Sequence, residues 1–161
     1  MQNCTCFLID DDADDREIFA MALEDADRSS KCVTAKNGVD ALEKLNCNDK
    51  FIPDYIFLDL NMPMLSGKEC LKELKKIPRL NHVPIIIYST SSHEKDIAET
   101  KQMGASYFLT KPSSIKVLTS ILTKIIEKQD SPYLLKGLVL SIIGSLLIKI
   151  IALSCEWAVI Q

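Results

Sequence analysis

Four short apolar runs in this chain each end in a residue that carries chemistry, and that regularity limits the folds open to it. Phe7-Leu8-Ile9 runs into Asp10-Asp11-Asp12, and Tyr55-Ile56-Phe57-Leu58 into Asp59. Ile85-Ile86-Ile87-Tyr88 runs into Ser89-Thr90, and Tyr107-Phe108-Leu109-Thr110 into Lys111-Pro112. Such runs are too short for buried helices and lack the alternation of a half-solvated strand, so they read as strands covered on both faces. Helical stretches separate them. Strands alternating with helices imply an α/β domain with a parallel sheet and right-handed crossovers. In such sheets ligands bind outside the carboxyl ends of the strands. An acidic pair, a lone Asp, a hydroxyl and a Lys are therefore delivered to one edge.

The local signals predict five strands and five helices up to about Asp130. Strands are expected at 5–10, 31–36, 54–59, 85–89 and 106–110. The first helix is expected over 14–27 with Ile18, Phe19, Ala22 and Leu23 on one face. Asn37-Gly38 opens a helix over 39–45. Ser66 with Glu69 fits a capping box for a helix to about Lys76, and Ser91 with Glu94 fits a second one for a helix to about Met103. Gly104 stops that helix, and Ser113 or Ser114 caps a last one through about Lys128.

The 161 residues suffice for one domain with a core. A net charge of −3 leaves no electrostatic footprint for nucleic acid. The six cysteines form no CxxC, and His82 and His93 lie far from any Cys pair, which argues against zinc. Cys4 and Cys6 are expected on one strand face as small apolar fillers. Asp10 to Asp15 interrupt any apolar N-terminal segment, so a signal peptide is not expected and the domain reads as cytoplasmic with reduced thiols.

The edge set suits a divalent cation and a phosphoryl group. Bringing a phosphoryl group to a carboxylate sets two anions together. Mg²⁺ offsets that repulsion and takes one or two carboxylates with waters and phosphate. Asp10 or Asp11, together with Asp59, could supply the carboxylates, and the Asn61 backbone carbonyl another ligand. Lys111 would bind one phosphate oxygen and Ser89 another. Asp59 would be the nucleophile, as in aspartyl-phosphate chemistry. Asp14 and Asp15 read as first-turn acids that complement the helix dipole, and His93 as a surface residue.

The acidic cluster admits other readings. Asp10 to Asp14 superficially match the start of a Ca²⁺ loop, but Asp15 replaces the required Gly and Met21 the closing Glu. Asp10-x-Asp12 also resembles phosphohydrolases of the haloacid dehalogenase type, with Asp10 as nucleophile, a reading that leaves Asp59 without a role. A constitutive binding module that turns over no phosphate is a third option.

Taken together, Phe7 to Asp11, Asp59-Leu60-Asn61-Met62-Pro63, Ser89-Thr90 and Lys111-Pro112 resemble the CheY-like receiver domain of two-component response regulators over about residues 4–130. Asp59 precedes Ser89 by 30 residues, and Ser89 precedes Lys111 by 22. The resemblance implies a doubly wound five-stranded sheet in the order 2-1-3-4-5, with Asp59 as phosphoacceptor. It implies Mg²⁺ bound by Asp11 directly and Asp10 through water, and a switch formed by Ser89, Thr90, Lys111 and Phe108. Phe108 stands at the switch aromatic without a hydroxyl, so its part would be ring packing. The implied partners are a sensor histidine kinase or histidine phosphotransfer protein and a downstream protein target. The implied role is a phosphorelay switch that is no enzyme beyond its own phosphotransfer and dephosphorylation.

Residues 131–161 depart from that pattern. Gly137 to Ile160 hold thirteen Leu, Ile and Val with two charges, Lys149 and Glu156. As a helix the stretch would reach about 36 Å, enough to cross a bilayer. A central Lys opposes insertion by roughly 2.5–3.5 kcal/mol. Three readings stand: a membrane anchor, a helix packed on the domain or on a second copy in a homodimer, or an extension foreign to the domain. Lys124, Lys128 and Lys136 would keep the receiver cytoplasmic if the stretch inserts. No DNA-binding module is recognisable after the receiver.

Overall fold

The chain was analysed as a computed structural model that describes residues 3–127 and the backbone of 159–160. Five parallel strands, β1 (Thr5–Ile9), β2 (Lys31–Ala35), β3 (Tyr55–Leu58), β4 (Ile85–Ser89) and β5 (Tyr107–Thr110), lie in the order 2-1-3-4-5. A two-residue strand, β6 (Val159–Ile160), adds to the outer edge of β5, with Phe108 opposite Val159. The end of the expected apolar helix is thus extended, and the remainder of residues 128–161 lies outside the described residues. Among the described residues no helix is long and apolar enough to cross a membrane.

Five helices follow the strands in turn: α1 (Ala13–Ala26), α2 (Gly38–Cys47), α3 (Gly67–Lys75), α4 (Glu94–Gln102) and α5 (Ile115–Ile126). A single 3-10 turn at Pro78–Leu80 precedes β4. Because both sheet faces are covered, the strands are apolar throughout, and two cores form. On one face Cys6, Leu8, Phe57, Ile86, Tyr88 and Leu109 meet Phe19, Ala22 and Leu23 of α1 and Leu118, Ile121, Leu122 and Ile125 of α5. On the other, Phe7, Ile9, Ile56, Leu58, Ile87 and Phe108 meet Ala41 and Leu45 of α2 and Cys70, Leu71 and Leu74 of α3. The domain is doubly wound.

Some local expectations need correction. Ile18 does not join the α1 core face; it is 42% exposed, since α5 covers only the stripe through Phe19, Ala22 and Leu23. Ser66 and Glu69 do form a reciprocal capping box on α3. Ser91 and Glu94 do not: α4 starts at Glu94 behind His93, which makes no side-chain cap. Ser114 stands at the N-cap of α5, also without a side-chain bond. Gly104 ends α4 at φ 91°, a conformation that disfavours any side chain. Cys4 and Cys6 do share a buried face, with sulfurs 3.9 Å apart.

Candidate functional site

Strand register fixes the site. Ile9 pairs with Leu58 and Leu58 with Ile87, so β1, β3 and β4 end nearly level. Alternation then sends Asp10 and Asp59 to the same sheet face as Tyr88, and Ser89 to the other. Asp10 is fully buried and Asp59 is 5% exposed. Asp11 and Asn61 are exposed on the loops above them. Asp10, Asp11 and Asp59 each offer an oxygen within 4.8 Å of the others'.

Local hydrogen bonds hold these carboxylates in place. Asp10 Oδ1 accepts from the Asp12 amide at 3.0 Å, and the Asp10 amide donates to the Ala35 carbonyl at 3.0 Å. Asp12 caps α1, accepting from the amides of Asp14 and Asp15. Asp59 Oδ1 accepts from the Leu60 amide at 2.8 Å. Gly67, at the start of α3, presses on the same backbone and donates its amide to the Leu60 carbonyl at 3.1 Å. A Cβ there would lie 2.5 Å from Leu60 Cα and closer still to the Asp59 carbonyl. Only glycine lets α3 begin this near the acidic residue.

Lys111 enters from β5. Its backbone amide donates to the Ser89 carbonyl at 2.9 Å, which ties the end of β5 to that of β4. Its ammonium lies 2.7 Å from Asp10 Oδ2, 2.7 Å from Asp15 Oδ2 and 3.9 Å from Asp59 Oδ2. The contact with Asp10 Oδ2 is off the axis of a hydrogen bond, so this buried oxygen has charge pairing but no aligned donor. Burial lifts Asp10 above the ordinary carboxylate range, against the pull of Lys111. Burial would lower the Lys111 ammonium, but Asp10, Asp15 and Asp59 outweigh it and raise it. The ammonium also stands 5.4 Å from the centroid of the Tyr88 ring, within cation–π range.

Of the remaining expected site residues, Ser89 is fully buried and its Oγ accepts from the Ser91 amide at 3.3 Å. Thr90 is exposed. Phe108 is fully buried in the second core. Two further residues were not singled out for the site in the sequence. Asp15 serves the helix dipole but also holds Lys111, and Arg16 Nη1 donates to the Asp10 carbonyl at 2.8 Å. The signal for Asp15 was its position four residues after Asp11, one helical turn along the face that starts at the acidic pair.

Three carboxylates, Asp10, Asp15 and Asp59, therefore lie within 4 Å of one ammonium, and Asp11 joins two of them in the acidic cluster. Oxygen ligands, two of them buried, and an unaligned buried oxygen suit a hard divalent cation. Asp10, by contrast, is closed off from solvent, which suits a supporting ligand better than a nucleophile facing substrate.

A doubly wound sheet with an acidic, metal-compatible site beyond β1 and β3 and a lysine from β5 defines a class of α/β domain. The comparisons narrow it: the family model of the response regulator receiver domain matches residues 6–123, and the chain belongs to that family. It is 34% identical over 128 residues to a protein-glutamate methylesterase/protein-glutamine glutaminase of Methanococcoides burtonii, covering 78% of this chain and 35% of that one. The chain thus spans about a third of the length of that relative. The phosphorylated cyanobacterial phytochrome response regulator RcpA superposes with a TM-score of 0.70 at 30% identity, covering 79% of this chain and 94% of that one. The Mn²⁺-bound form of response regulator Rcp1 superposes with a TM-score of 0.66 at 25% identity, covering 76% and 91%.

Proposed function

We propose that this receiver accepts a phosphoryl group on Asp59 from the phosphohistidine of a sensor histidine kinase or phosphotransfer protein, and acts as a phosphorylation-dependent switch. The observation that carries this reading is the ammonium of Lys111 beside Asp10 and 3.9 Å from Asp59, at the meeting of three strands. A carboxylate oxygen of Asp59 attacks phosphorus, the P–N bond to the donor imidazole breaks, and an acyl phosphate forms. Lys111 binds an oxygen of the transferred group, and the Ser89 hydroxyl donates to another. Thr90 extends the same loop. Mg²⁺ would be held by Asp11 and Asp59, by the Asn61 backbone carbonyl and, through water, by Asp10. It would supply neutralising charge between the phosphoryl group and the carboxylates. The cation in the Rcp1 relative supports divalent metal in such a site.

Catalysis here is positioning and charge neutralisation on a bound partner's phosphate, so the protein is a switch and turns over no separate substrate. The downstream target would be a protein that reads the surface around α4 and β5. Incubation with a small-molecule phosphodonor and Mg²⁺ tests the reading. Acid-labile, hydroxylamine-sensitive phosphate should form, vanish in Asp59→Asn and only weaken in Asp10→Asn. Labelling that survives Asp59→Asn would sink it.

A further inference from the structure

Phe108 is already buried in this structure, and a separate link runs from Ser89 to the surface. A polar chain runs from that hydroxyl. The Ser91 amide donates to Ser89 Oγ at 3.3 Å, and Ser91 Oγ donates to Asp96 Oδ2 at 2.8 Å. The other oxygen of Asp96 accepts from Lys68 Nζ at 2.7 Å, and the same ammonium reaches Glu99 Oε2 at 2.5 Å. Lys68 directly follows Gly67, the residue pressed against the Asp59–Leu60 backbone. The chain therefore joins the first turn of α3 to the loop after β4, and passes through α4 between them.

Taken singly, such half-exposed ion pairs contribute little. Here both Ser91 and Lys68 converge on one carboxylate, and Lys68 bridges two carboxylates one helical turn apart. Their combined hydrogen bonding draws the Asp96 carboxyl below its ordinary range. Ser91 Oγ also accepts from the His93 amide at 3.4 Å, and α4 starts only at Glu94, so Ser91 stands two residues ahead of the N-cap and the expected second capping box is absent.

We infer that Ser91, Asp96, Lys68 and Glu99 form a strap that positions Ser89 and α4 in the unphosphorylated state, and that phosphorylation works against it. This rests on the reading of Asp59 as phosphoacceptor. A phosphoryl group on Asp59 that draws the Ser89 hydroxyl must break its bond to Ser91 or carry the Ser91 backbone along, straining the Asp96 contacts. The two states then differ in the strap, and by reciprocity whatever loosens it must favour the phosphorylated form. Lys68 and Asp96 are positioning residues, since they bond to each other, to Ser91 and to Glu99 and not to the acidic cluster.

The test uses the full chain, Mg²⁺ alone, and beryllofluoride with saturating Mg²⁺ as a phosphoryl mimic. Lys68→Met and Asp96→Asn should each tighten beryllofluoride binding about fivefold or more, with Mg²⁺ affinity within about twofold of the parent. The double variant should gain no more than either single one, and Lys68→Arg should restore the parent value. Ser91→Ala, which cuts the strap next to Ser89, should act like Lys68→Met. A parent that binds beryllofluoride normally while these variants match it overturns the strap and leaves the phosphoacceptor reading standing, as do additive effects or parallel changes in Mg²⁺ affinity. A parent that binds no beryllofluoride, or binds it equally as Asp59→Asn, overturns the phosphoacceptor reading and the strap with it.

Discussion

The Asp15 carboxylate, in the first turn of α1, reaches the Lys111 ammonium at the end of β5 across 2.7 Å, as closely as Asp10 does. Lys111 thus has two buried partners, Asp10 and, at 3.9 Å, Asp59, and one partly exposed one. Asp15→Asn should cost about 1 kcal/mol or less, because Asp15 is a third exposed and water screens its pair. Denaturant melts of that variant against the parent check it.

Lys111→Met should cost far more, and its cost should depend on pH. It leaves Asp10 buried without its countercharge, a change worth about 3–5 kcal/mol for a buried pair. Asp10 already titrates above the ordinary carboxylate value in the folded protein. A folded carboxyl raised above its unfolded value favours folding less as pH rises through the interval between the two. Without Lys111 that interval extends further upward. The deficit should therefore be small in acid, where Asp10 is protonated in both proteins, and grow toward pH 8. Urea melts at acidic and mildly alkaline pH measure it, and a deficit independent of pH would contradict the assignment.

Divalent binding should follow the same carboxyl. Metal ligation and support require ionised carboxylates, and burial keeps Asp10 protonated to higher pH than an ordinary Asp. Mg²⁺ affinity should thus begin to weaken on acidification before the ordinary Asp range is reached. Asp11→Asn, which removes the exposed member of the cluster, should weaken Mg²⁺ on the order of tenfold. Calorimetric titration over a pH series reads both.

What the sequence disclosed and withheld follows the range of the interactions. The sheet order came with the family resemblance, and the strands were legible because burial on both faces demands continuous apolar runs such as Tyr55 to Leu58. Ser66 and Glu69 announced their capping box because its two bonds are local. The same spacing in Ser91 and Glu94 misled, because α4 starts only at Glu94 with His93 at its N-cap, which leaves Ser91 two residues ahead of the N-cap. Ile18 had the periodicity of a core residue, but how far α5 extends over α1 is a tertiary matter. The meeting of Asp10, Asp59 and Lys111 was foreseeable from their strand ends. The share that Asp15 takes of Lys111 was not, since it needs the distance between α1 and β5.

Gly67→Ala should damage both fold and site. The added Cβ would sit 2.5 Å from Leu60 Cα, and backbone cannot rotate away as a side-chain tip does. Overpacking of this kind costs about 1–3 kcal/mol. Relief requires α3 to withdraw from the Asp59–Leu60 peptide, so phosphorylation by a small donor should slow along with the fall in stability. A thermal melt and a labelling time course on the same sample measure the two.

Tyr55→Phe should destabilise the domain without touching the site. The Tyr55 hydroxyl donates to the Ile125 carbonyl at 3.1 Å, a buried bond from β3 to the last turn of α5. That carbonyl lies in the last turn of α5, where the Glu127 amide also reaches it. Removing the donor should cost about 0.5–1.5 kcal/mol and loosen the end of α5, the element that leads into residues 128–161. Amide exchange in the last turn of α5 should rise while Mg²⁺ affinity holds, because Tyr55 lies at the amino end of β3 and the acidic cluster beyond its carboxyl end. Equal loss of metal binding would show that the two ends of the strand are not independent.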